Sequence, residues 1–147
     1  MTTVGVSMVP TALRPVLAIA LGAVAGAVSR YYLEMGVSHI VVTTLPLGTL
    51  VVNLTGCGAM GLAATLCFAP QLQVHPEIRL LLLTGFMGAY TTFSSYELDS
   101  ERLGAAQRWG LFFVYWAGSG ILGWLCLELG SRLAGRLIRP KIDHHEP

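Results

Sequence analysis

Gly85-Phe86-Met87-Gly88-Ala89-Tyr90-Thr91-Thr92-Phe93-Ser94-Ser95-Tyr96 is the stretch on which the fold turns. It occupies the middle and later part of an apolar run that starts near Glu77. Two glycines, two threonines and two serines stand there, where hydrocarbon would favour leucine. Glycine and the β-branched threonine weaken a helix. A broken helix is tolerated at membrane depth only where its freed backbone is buried in protein or lines a wet cavity. At such a break, exposed carbonyls suit a cation and exposed N–H groups suit an anion. A continuous helix whose hydroxyls bond back to their own carbonyls fits the same residues.

Outward from this stretch the chain is apolar throughout. Of its 147 residues, 54 % are hydrophobic and only 12 % charged, against about 25 % charged in soluble domains. Mean hydropathy is +0.64. So little charge cannot cover a water-facing surface, and lipid is expected to cover it instead. Four spans are predicted, at about Val16–Leu33, Leu45–Phe68, Glu77–Tyr96 and Trp109–Leu129. Each is near the ~20 residues needed to cross ~30 Å of hydrocarbon. The expected organisation is an N-terminal extension over 1–14, a four-helix transmembrane domain over 15–134 and a polar tail over 135–147. The first span is too long, and the chain beyond it too apolar, for a cleaved signal peptide.

An even number of spans puts both termini on one side, with Arg14, Arg79 and the basic stretch Arg132, Arg136, Arg139 and Lys141. The other side holds Arg30, Arg102 and Arg108. The lean toward cytoplasmic termini is mild, and a weak bias permits mixed insertion. The net charge of +1 gives no basic surface for nucleic acid.

Small residues recur every four positions, as in Gly22 and Gly26, or Thr49, Asn53, Cys57 and Gly61. These rows share one helix face and let helices pack closely in lipid. Asn53 exceeds what packing needs: an unpaired amide in hydrocarbon costs several kcal/mol. It is either glue between helices or part of an ion pathway. Tyr115 and Ser119, four apart, point the same way; alone they suggest a structural hydrogen bond. Cys57, Cys67 and Cys126 form no metal-ligating pattern and read as small core residues. His144 and His145 lie in the polar tail. Glu97, Asp99 and Glu101 are expected in water past the break. No carboxylate sits centrally in a span, which argues against a proton-coupled exporter. A helix-binding subunit that transports nothing would leave Asn53 and the polar break without a role. An enzyme is disfavoured, because no catalytic constellation is present.

Three motifs resemble the Fluc (CrcB) family of fluoride channels: Gly22-x-x-x-Gly26-Ala27-x-x-Arg30-Tyr31, Pro46-x-Gly48-Thr49-x-x-Val52-Asn53-x-x-Gly56-Cys57, and Gly85-x-x-Gly88-x-x-Thr91-Thr92-Phe93-Ser94-Ser95-Tyr96. The resemblance covers about residues 16–134 and implies an all-α integral membrane fold. It implies four transmembrane helices per subunit with the third broken, in an antiparallel dual-topology dimer of the bacterial inner membrane. It also implies passive fluoride export from the cytoplasm, and a structural, untransported sodium ion (Na+) held by the backbone carbonyls of Gly88 and Thr91. The implied fluoride pathway runs over Asn53, Phe93, Tyr96, Tyr115 and Ser119, with further hydroxyls from Thr92 and Ser94 and with Arg30 at a vestibule. The partner is a second copy of the chain or a paralogue of opposite orientation. Two departures stand out: Tyr96 replaces a common phenylalanine, and Gly123 replaces a serine one turn beyond Ser119.

Overall fold

The computed structural model describes residues 12–41 and 43–138, and they are all helix and short connections. Helix α1 is Leu13–Ile40 and α2 is Leu47–Cys67. Helix α3 covers residues 76–90 and is composite: a first turn Pro76–Arg79, a widened π-helical stretch Leu80–Met87 and a last turn Gly88–Tyr90. Helix α4 is Phe93–Ala105 and α5 is Trp109–Ile138. Prolines mark the starts. Pro46 stands at the cap of α2, and Pro76 opens α3, where a missing N–H is harmless.

Three helices, α1, α2 and α5, are long and apolar enough to cross a membrane. The third expected span is not among them as a single helix. Residues 91 and 92 are extended, and the helical hydrogen bonding stops at Tyr90 and restarts at Phe93. The outer spans are longer than expected. Helix α1 begins at Leu13, inside the stretch expected as an extension, and runs on past Leu33 to Ile40. Its 28 residues reach about 42 Å at 1.5 Å per residue, so its ends stand clear of the hydrocarbon. Helix α5 continues to Ile138, nine residues past Leu129. The rest of the expected N-terminal extension, and the tail from Arg139 with His144 and His145, lie outside the described residues.

The packing is built on small residues. Ala18, Gly22 and Gly26 form the buried stripe of α1, and it lies against the π-helical stretch of α3. A methyl group at Gly22 would collide with the Leu81 carbonyl, and one at Gly26 with the Phe86 carbonyl. Helices α2 and α5 meet in the same way, with Gly61 against the Leu127 carbonyl and Gly130 against that of Gly58. Large apolar side chains point outward instead, among them Leu21, Val24, Val114, Ile121 and Trp124. Small inside and large outside is the arrangement that lipid, not water, makes stable, because close backbone approach drives association there.

Candidate functional site

The row Thr49, Asn53, Cys57 and Gly61 turns one face of α2 toward α4 and α5, and Asn53 fixes the segment between α3 and α4. Thr91 has φ −81° and ψ 156°, and Thr92 has φ −145° and ψ 116°; both are extended. The Asn53 amide grips this segment from both sides. Its Nδ2 donates to the Thr92 carbonyl at 2.9 Å, and its Oδ1 accepts the Thr92 N–H at 2.8 Å. The first role offered by the sequence, glue between helices, is therefore met. One Nδ2 hydrogen is left over, since an amide carries two.

Four carbonyls, those of residues 88 to 91, lose their helical donors at this point. In a continuous helix the Thr92 N–H would return to the Gly88 carbonyl, but it goes to Asn53. The Ser95 N–H would return to the Thr91 carbonyl, but it goes to Thr92 Oγ1 at 3.2 Å, which caps α4. Thr91 Oγ1 bonds back to the Met87 carbonyl at 2.9 Å. The carbonyls of Gly88 and Thr91 are thus open, as are those of Ala89 and Tyr90, to which neither the Phe93 nor the Ser94 N–H returns; oxygen donors of this kind suit a hard cation.

Beside the break runs a groove of about 400 Å³, lined among others by Asn53, Thr92, Phe93, Tyr96 and Ser119. Phe93 is 73 % exposed. The Phe93 and Tyr96 rings lie 5.6 Å apart at 43°, and Tyr96 and Tyr115 lie 5.6 Å apart at 34°. The Tyr96 hydroxyl is committed elsewhere: it donates to the Trp116 carbonyl at 2.8 Å. Ser119 Oγ is buried and makes no hydrogen bond among the described residues. Tyr115 Oη is buried too but lies outside the groove's lining and faces Thr49, so for Ser119 alone the structural bond that the spacing suggested is absent. Ser94 is exposed and reaches only Thr92 Oγ1, at 3.3 Å. At Gly123 a side chain would press on Cys57 Sγ at 3.3 Å, so the sulfur occupies the room where a hydroxyl would continue the row.

A second hollow, of about 690 Å³, opens at the end of the molecule where α1 stops and α2 starts. Glu34, Thr49, Asp99, Arg102 and Arg108 line it. Asp99 does not stand in water: its side chain is only 14 % exposed, and Thr49 donates to it at 2.7 Å. Helix α4 continues beyond Tyr96 and turns Asp99 back toward α2. Glu97 and Glu101 are exposed, as expected. Thr49 and Asp99 were not singled out in the sequence as a pair. The signal was present in the row itself, since Thr49 lies one turn before Asn53 on the same face. Arg30 is half-buried on α1 and lines neither hollow.

The sequence was compared with known proteins. A family model described as "CrcB-like protein, Camphor Resistance (CrcB)" matches residues 17–131. A protein of Synechococcus sp. called "Fluoride-specific ion channel FluC" is 46 % identical over 127 residues, covering 86 % of this chain and 97 % of its own. Proteins of the same description from Trichormus variabilis and Synechocystis sp. are 45 % and 42 % identical. They match 86 % and 87 % of this chain, and 94 % and 98 % of their own length.

Proposed function

Because this chain belongs to the CrcB family of ion channels, which are not enzymes, we propose that it is a fluoride-selective channel through which fluoride leaves the cytoplasm passively. The observation that carries the reading is the groove beside the break. Its donors are uncharged, and the buried Ser119 hydroxyl on its wall has no protein partner among the described residues.

Fluoride is small and strongly hydrated, so a conduit must replace its water with compact donors. The spare Nδ2 hydrogen of Asn53 and the hydroxyls of Ser119 and Tyr115 do so without fixed charge. Thr92 and Ser94 sit beside them. Conduction needs sites weak enough to leave, and a cation fixed at mid-groove would hold the anion too firmly. The positive edges of Phe93 and Tyr96 add attraction where water is excluded. Arg30 contributes a positive field near the vestibule.

The open carbonyls of Gly88 and Thr91 support a structural sodium site. An ion bound there supplies a buried positive charge that favours an anion nearby. The working unit is an antiparallel dimer in the bacterial inner membrane, with these carbonyls from both copies at its centre. The groove, bounded by one chain on one side only, supports that arrangement, and the arginines outside the C-terminal tail are nearly balanced between the two sides. Whether the second copy is identical or a paralogue is decided by what the chain does alone.

The test is efflux from liposomes loaded with potassium fluoride and holding only this protein, followed with a fluoride electrode. Fluoride flux well above chloride flux is the expected result. Clear chloride flux without fluoride flux rejects the reading.

A further inference from the structure

We infer that Asn53 is a positioning residue for the cation site as well as a member of the anion groove. Its amide diverts the one backbone N–H that would otherwise close the Gly88 carbonyl. The inference rests on the sodium reading above and deepens it.

The geometry joins three facts. The Thr92 N–H points to Asn53 Oδ1 at 2.8 Å rather than to Gly88. The Thr92 carbonyl is held in turn by Asn53 Nδ2 at 2.9 Å, which keeps residue 92 extended. The Ser95 N–H is diverted in the same manner by Thr92 Oγ1 at 3.2 Å, and that releases the Thr91 carbonyl. Two side chains therefore each set aside one backbone donor, and the two carbonyls released are three residues apart on one short segment. Backbone groups away from water are strongly driven to pair. Remove the Asn53 amide, and the nearest partner for the Thr92 N–H is the Gly88 carbonyl, four residues back. The segment would then wind toward continuous helix, and the carbonyl would be lost to a cation. One residue thereby couples the two ions: the amide whose spare hydrogen faces the anion also keeps the cation's ligand free.

The experiment measures thermal stability of the purified full-length protein in detergent against sodium concentration, with potassium and choline as controls. Flux plays no part in this readout. Wild type is expected to be stabilised by sodium specifically. Asn53→Leu, which keeps the volume and removes the amide, should need about tenfold more sodium or more for the same stabilisation, because a charge-assisted backbone contact is lost. Asn53→Asp keeps an oxygen that accepts the Thr92 N–H, so it should retain the sodium response even where flux is lost. Thr92→Val removes the matching diversion at Thr91 and should weaken the response likewise; it decides the matter if Asn53→Leu does not fold. An unchanged sodium response in Asn53→Leu, or in Thr92→Val in its place, overturns the inference and leaves the sodium site standing. No sodium-specific stabilisation of wild type overturns both.

Discussion

Tyr96 carries a hydroxyl beside the groove, and the hydroxyl is tied to the Trp116 carbonyl at 2.8 Å. That carbonyl has a second lone pair for its own helix, so the bond joins α4 to α5 without breaking α5. The ring, not the hydroxyl, is what Tyr96 presents to the groove. Tyr96→Phe should therefore keep fluoride flux within about threefold of wild type and lower the melting midpoint by a few degrees, the size of one net hydrogen bond of about 1 kcal/mol. A Tyr96→Phe channel that loses flux outright would make the hydroxyl an anion ligand. Phe93 is different, since its exposed ring has contact with Tyr96 on one side only. Phe93→Ile should cut flux at least about tenfold with the wild-type oligomeric state unchanged, as judged by flux assay and size-exclusion chromatography on the same preparation. At this scale the sequence was informative about which residue types gather, because unpaired polar groups are conspicuous in apolar runs. It could not say which hydroxyls are already taken. Tyr96 and Ser119 look equivalent as letters, yet one is bonded and the other is not. That difference depends on the rotation of α4 against α5, which no spacing within either helix records.

At the scale of elements, the glycine stripes set how closely the helices approach. Gly61 of α2 lies against the Leu127 carbonyl of α5, and Gly26 of α1 against the Phe86 carbonyl of α3. A side chain at either place meets backbone, which cannot swing aside. Gly61→Leu should destabilise the protein by about 3 kcal/mol or more, read as a lower melting midpoint and a smaller monodisperse fraction. Gly110, with nothing near it, should tolerate alanine at little cost. These contacts were legible in advance as rows four apart, because helical periodicity alone puts such residues on one face. The ends of the elements were not. Helix α4 runs on to Ala105 and carries Asp99 into the hollow beside Thr49. Its acidic residues alone gave no reason to expect a carboxylate turned inward. The π-helical stretch Leu80–Met87 was equally hidden, since its leucines suit an ordinary helix and no residue among them marks the widening.

At the scale of the whole molecule, arginines are shared between the two ends. Arg14, Arg79, Arg132 and Arg136 stand toward one, and Arg102 and Arg108 line a hollow at the other. The lean toward the first end is weak enough to permit insertion in both orientations. In a variant lacking Cys57, Cys67 and Cys126, a cysteine placed at Gln71 between α2 and α3 should be labelled from outside the cell in roughly half of the copies. Labelling of nearly all or nearly none would fix one orientation and rule out an antiparallel pair of identical copies.

The groove beside the break has a further consequence. It is a half-pipe, and a half-pipe in oil shelters nothing on its open flank. If a second copy supplies the missing wall, conducting units form by encounter within the bilayer. Transport would then rise faster than in proportion to protein density in sparse vesicles and become proportional once copies are crowded. A cell making very little of the protein would gain disproportionately little protection, so dilution in lipid would itself act as a throttle.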